Sequence, residues 1–432
     1  MNENYITTHT ENATDLYELR LNWLDETDIY SSAFEGVEDR LCADLYHCAR
    51  ALHLEEPDTV TAQTKSKKAP TKEPDCFIFL ASHINSPQPA TGAAGYKLAY
   101  QWLAQDAGKS AAAEAALCLY PEADNTRLLK LYDEQEVLRP ALFRLFRKQM
   151  LSLPIAMVNS AATAETSADA LKIEALRYAA TNADIGMDVF RTHYLSLLSG
   201  KAQSDARIVE AAIWGGMLRS DPDATRAISV AISNTPVPKY RTTLLRLAAL
   251  TGAAEYLPLL LHAAESDPAT GYPLLVLYGQ KSVMPELLKA LEVAHTMEHA
   301  AAAFRQLTDQ ILPRIPRLTV VGEEEDDAEE NAPQIPDIKA ARAWWDKHQS
   351  NWKADERWLF GKPANTAHLV ALIQKHAGRF GQDIMALLEL SQKAPLNIPS
   401  EIWRARQQQL LADKMAAQPA SKPVLSAKSH HA

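Results

Sequence analysis

The sequence predicts an all-α protein whose middle is an α-solenoid of stacked helix pairs. Composition comes first. The 432 residues contain about 70 alanines against 15 glycines. Alanine loses no side-chain entropy on entering a helix and is the strongest helix former. Glycine at about half its usual ~7% share disfavours hairpin turns and phosphate-cradling loops, both of which depend on it. Periodicity agrees, because apolar residues recur at helical rather than strand spacing through most of the chain. A repeat completes the argument: two segments match one another at an offset of 27 residues.

Residues 1–54 read as a helical N-terminal region, with Leu41, Leu45, Cys48 and Leu52 on one stripe. Residues 55–74 hold Pro57, Pro70, Pro74 and Lys65-Ser66-Lys67-Lys68, and read as a flexible linker. Residues 75–160 are helical again and lead into the repeats. Tyr96, Ala99, Tyr100 and Leu103 form one stripe, and Leu138, Leu142, Leu145 and Phe146 another, with Pro140 near a helix start.

Residues 168–312 hold the repeats. Leu247–Leu261 and Leu274–Leu288 each contain an apolar helix ending at glycine, five further residues, a proline and a second apolar helix. Gly252 and Gly279 can take the left-handed conformation that ends a helix. Pro258 and Pro285 fit the first turn of the next helix, where a missing N–H costs little. These four residues are the structural markers of the repeat. Looser pairs flank them at Ala170–Ala180 with Ile185–Leu198, and at Ala206–Leu218 with Pro222–Ile232. First helices are expected near 168, 204, 238, 268 and 297, a recurrence that signals stacked pairs sharing one core.

Residues 319–336 carry Glu323-Glu324-Glu325-Asp326-Asp327-Ala328-Glu329-Glu330 and read as an acidic linker. Residues 337–417 hold five of the eight tryptophans and read as a small Trp-rich helical C-terminal module, with helices expected at about 365–377, 381–392 and 399–416. Large aromatic side chains suit a small core. Residues 418–432 read as a disordered tail.

The net charge of −10 disfavours broad binding to nucleic acid or to an anionic membrane. About 47% hydrophobic residues suffice for a sizeable core. There is no run of 18 apolar residues and no basic start followed by an apolar segment, so a cytoplasmic protein without a membrane span is expected. Cys42, Cys48, Cys76 and Cys118 form no Cys-x-x-Cys pair and read as reduced thiols.

Reaction motifs fail on spacing. Gly108-Lys109-Ser110 lacks the glycine five positions earlier that a phosphate loop needs, since Leu103 stands there; Gly108 reads as a helix end. His295 and His299 are four apart, but Thr296 follows the first histidine where a zinc protease needs glutamate. No metal, cofactor or catalytic residue is expected. Candidate partner-binding residues are Trp344, Trp345, Trp352 and Trp358, because tryptophan is enriched at binding hot spots. Tyr240, Tyr256 and Tyr272 join them, recurring through the repeats with Tyr194, Trp214 and Tyr278.

The Gly252…Pro258 and Gly279…Pro285 pairs with their leucine stripes resemble HEAT-like repeats. Together with the acidic break and the stretch from Trp344-Trp345 to Gly361-Lys362-Pro363, the layout over about residues 15–415 resembles a bacterial HEAT-like family. Its members accompany type VI secretion clusters. The resemblance implies a non-enzymatic interaction scaffold: an adaptor or chaperone for a secreted effector or spike component. An immunity-type inhibitor of a cognate toxin is the alternative, and a HEAT-like lyase a more distant one. The partner in the first two readings is another protein.

Overall fold

The computed structural model describes residues 3–52, 70–122, 125–200, 205–316 and 334–417. The expected linker core, the acidic run and the tail therefore fall outside the described residues. Within them lie 21 α-helices and two short strand pairs, and the fold is mostly helical. The chain begins with α1 (Glu3–Asp25) and α2 (Ser31–Leu52). Six helices follow: α3 (Glu73–Ile84), α4 (Pro89–Trp102), α5 (Ala107–Leu119), α6 (Thr126–Glu134), α7 (Arg139–Gln149) and α8 (Ile155–Thr163). Gly108 stands in the first turn of α5, capped by the Asp106 carboxylate on Lys109 N–H, so it opens a helix rather than ending one. Helix α3 starts at Glu73, inside the expected linker, with Pro74 in its first turn.

The middle of the chain holds α9 (Asp169–Thr181), α10 (Asp188–Leu198), α11 (Ala206–Leu218), α12 (Pro222–Asn234), α13 (Pro238–Thr251), α14 (Leu257–Ser266), α15 (Pro268–Tyr278), α16 (Met284–Ala290) and α17 (Met297–Thr308). Helices α9, α11, α13, α15 and α17 start within two residues of the positions expected for the first helix of each pair. Gly252 and Gly279 end α13 and α15 with φ of 67° and 61°, and Pro258 and Pro285 lie in the first turns of α14 and α16. A single 3-10 turn, 254–256 or 281–283, fills the gap in each copy.

Packing joins these helices into one row. In order, α2, α3, α5, α7, α9, α11, α13, α15 and α17 each touch the next. The intervening helices form a second layer: α12 and α14 each pack on both neighbours in the row, α10 on α11, and α16 on α17. Alanine suits this arrangement. Ala175, Ala179, Ala212, Ala224, Ala227 and Ala248 are wholly or almost wholly buried where helices meet, and small side chains let backbones approach.

The C-terminal part holds α18 (Ile338–His348), α19 (Thr366–Lys375), α20 (Gly378–Gln392) and α21 (Arg404–Ala417). It also supplies strands that the helical reading did not expect. β1 (Arg314–Pro316) pairs antiparallel with β2 (Gln334–Pro336), so the expected acidic linker ends in a strand. β3 (Trp358–Leu359) pairs with β4 (Lys362–Pro363) across the positive-φ residues Phe360 and Gly361.

The sequence expects 337–417 to be a compact unit of its own; the described residues place it in one continuous hydrophobic core with the rest. Helix α20 meets α1 and α11, while α19 and α21 meet α2. Pro273 and Leu277 of α15 share a small cavity with Phe380 and Leu387 of α20. Helix α20 thus touches the start, the middle and the far part of the row, and the row curves round it. Nine of its residues, from Gly378 to Leu388, are buried on several sides, as an enclosed helix requires.

Candidate interaction surfaces

Most of the expected partner-binding aromatics are core. Trp345, Trp352 and Trp358 are buried. Trp345 meets Trp352 edge to face at 5.4 Å, and Trp352 stacks on Trp358 at 4.6 Å. Stacked on one another in the core, they leave little face for a partner. Trp344 is half-buried, stacked on His348 at 4.4 Å and edge-on to Phe304.

The repeat tyrosines are ties between helix pairs. The buried Tyr256 donates to Thr225 O at 2.7 Å. Tyr178 donates to Leu151 O at 2.7 Å, and Tyr194 donates to the Asp221 carboxylate. Tyr272 is buried and stacks on His299. Tyr256 and Tyr272 therefore leave the set of partner residues: a buried hydroxyl must be paired, and neighbouring repeats supply the acceptors.

Tyr240 is different. It is half-buried and lines an open groove of about 340 Å³ with Leu197, Val209, Pro236 and Val237. The groove exists because Pro236 and Pro238 break the chain between α12 and α13, leaving α10 and α11 uncovered along one edge. Val237, in its wall, is 46% exposed. Asp205 stands at its rim, capping α11 and bonded to Arg207 at 2.6 Å.

A larger cavity of about 580 Å³ lies between α2, the end of α5, the end of α7 and the start of α21. Cys42, Cys118, Met150 and Trp403 line it. All four cysteines are free, as expected. Burial pushes the Cys42 thiol up to about 11 and the Cys118 thiol to about 12, so both stay protonated at neutral pH and are poor nucleophiles. His295 and His299 are exposed, and no metal-binding cluster occurs among the described residues.

Where α20 faces the row, a cavity of about 380 Å³ collects charge. Arg147, Arg177 and Arg246 reach it from α7, α9 and α13, and Arg379 from α20. Arg147 bonds Glu401 at 3.0 Å. Arg177 lies 3.3 Å from Glu174 and 3.6 Å from Glu210. Arg246 bonds Asp383 through Nε, and Arg379 lies 3.8 Å from the same carboxylate. Burial by itself would raise the Glu401 carboxyl, but the Arg147 guanidinium outweighs it and holds the group down at about 2. Burial raises Glu389 to about 7, against the restraining Leu396 N–H and Arg246. Glu210 is raised for the same first reason.

Two further arginines hold helix ends. Arg357 donates Nε to Tyr278 O at 3.0 Å and Nη2 to Ala249 O and Leu250 O at 3.1 and 2.9 Å. It thereby caps α13 and α15 together. Arg219 does the same earlier, reaching Ala179 O, Asn182 O and Ile185 O at the end of α9. Burial lowers both guanidinium groups to about 10, and both remain charged at neutral pH. The negative end of a helix stabilises them in place of a carboxylate. Neither residue was among the sequence candidates, because its acceptors are backbone atoms far along the chain. Comparison with protein-family models, curated proteins and solved structures gives no match for this chain.

Proposed function

We propose that the chain is a protein-interaction scaffold built on a HEAT-like α-solenoid, with the Trp-rich C-terminal segment as its inner support. The observation that carries this reading is the groove at Tyr240. It is an open, mainly apolar depression between successive helix pairs, with Val237 exposed in its wall. Exposed apolar surface of this kind, rimmed by polar residues, suits a partner's aliphatic or aromatic side chain. The inner side of the row is occupied by α20, so the partner docks on the outer edge, at the loops between pairs. On the family resemblance, the partner is a secreted effector or spike component, and the role is that of an adaptor or chaperone.

The test is photo-crosslinking in the native host, with a photoreactive residue at position 240. A single protein from the secretion cluster is expected in the adduct, with Val237→Glu lowering its yield at least about tenfold. A control at Arg226, exposed on α12, should give none. Equal labelling at 226 and 240, or no adduct at 240, contradicts the reading.

A further inference from the structure

At one end of the charged cavity against α20, two guanidinium groups meet one carboxylate. Arg246 and Arg379 share the single carboxylate of Asp383. Arg246 uses only Nε for that contact, and its two terminal nitrogens have no partner among the described residues. Arg379 makes no side-chain hydrogen bond at all among them, lying 3.8 Å from Asp383. The buried Nε of Arg147, which also lines the cavity, is likewise without a partner. The buried Arg147 Nε is costly to leave unpaired, and the open donors of Arg246 and Arg379 are available to a ligand's oxygens.

The nearby carboxylates hydrogen-bond neither Arg246 nor Arg379: Glu210 lies 3.6 Å from Arg177, and Glu389 accepts from Leu396 N–H, while both feel the Arg246 charge across the cavity. With its carboxyl raised to about 7, Glu389 carries only part of a charge at neutral pH. Trp214 gives the same cavity a half-buried aromatic side chain. Guanidinium groups in this number match the planar, multi-acceptor geometry of oxyanions.

We propose that this cavity binds a small organic oxyanion, its carboxylate or phosphoryl group held between Arg246 and Arg379 and its body lying against Trp214. The ligand joins α20 to the row, since one guanidinium comes from each. The site is separate from the Tyr240 groove and does not depend on the scaffold reading.

The experiment is calorimetric titration and thermal unfolding of the full chain with inorganic phosphate and with citrate, each against chloride at matched ionic strength. At least one oxyanion should bind saturably and raise the unfolding temperature, as a ligand specific for the folded state does. Phosphate binding alone assigns a phosphoryl ligand; citrate binding alone assigns a carboxylate. Arg379→Met should weaken binding at least about tenfold. Its side chain is 39% exposed, so the unliganded unfolding temperature should hold. Arg379→Gln, which keeps polarity without charge, gives a second reading and should weaken binding by a similar factor. Binding no tighter than that of chloride, or unchanged in both variants, overturns the proposal.

Discussion

Arg357 shows how one side chain ties the C-terminal segment to the repeats. A Cβ on Gly252 would lie 2.8 Å from its Nη2, and one on Gly279 would lie 2.7 Å from its Cγ. The two glycines thus do two jobs: they end helices in the left-handed conformation and leave room for the guanidinium that caps those helices. The first job is legible in the sequence, because Gly…Pro spacing is local. The second is not, because Arg357 stands 79 residues beyond Tyr278 and 107 beyond Leu250. Gly252→Ala should cost roughly 1–3 kcal/mol, from left-handed strain and the close approach together. Gly186→Ala, where nothing lies within 4 Å, should stay within about 0.5 kcal/mol of wild type. Arg357→Met, which leaves the Tyr278 and Leu250 carbonyls without this donor, should cost about 2–4 kcal/mol. Chemical denaturation measures all three, and the Gly252→Ala penalty should shrink in the Arg357→Met background.

At the scale of elements, helix α20 carries the least legible information. Its apolar periodicity marks it as a helix, yet says nothing of which neighbours enclose it. Those neighbours come from α1, α11, α13 and α15, and only the curvature of the row brings them together. The tryptophan cluster was ambiguous for a related reason: composition cannot separate a core aromatic from an exposed one, and Trp345, Trp352 and Trp358 resolve as core. By contrast the five repeat starts were readable, since each rests on nearby capping and proline signals. Burial of α20 also sets a pH response. Glu389 has its folded-state carboxyl raised from an ordinary 4.5 to about 7, so the folded protein binds the proton more tightly than the unfolded chain. Its contribution to stability is therefore most favourable below about 4.5 and is lost as pH rises through 7. Glu389→Gln keeps the acceptor for Leu396 N–H and removes the titration. Above pH 7.5 the variant should be more stable than wild type by on the order of 2 kcal/mol, with the gain vanishing near pH 4.5. Denaturant midpoints across pH 4.5–8 measure this, and a constant difference would contradict it.

Glu401 runs in the opposite direction. Arg147 holds its folded carboxyl down at about 2, so its stabilisation is present above pH 4.5 and fades as pH falls toward 2. The two glutamates face the same cavity from the C-terminal segment, yet only Glu401 has a guanidinium hydrogen-bonded to it. The oxyanion proposal rests on a different observation in that cavity, the unused donors of Arg246 and Arg379.

For the whole molecule, the central feature is a row of helices folded round a helix from its own C-terminal segment. Interaction surfaces on curved helix rows are often sought on the inner side. Here that side is filled, leaving the edge groove at Tyr240 for partners and a charged cavity for small anions. The acidic stretch 323–330 separates the row from the segment that fills it. Without its seven carboxylates the net charge would be only about −3, so the overall acidity says little about what the described surfaces bind. The most direct measurement inserts a specific protease site within residues 323–330, cuts the purified chain there and follows the two fragments by size-exclusion chromatography and thermal unfolding. Shared core packing predicts that they stay together without denaturant and unfold in a single transition. Separation of the fragments, with an N-terminal part that keeps its own cooperative transition, would contradict it.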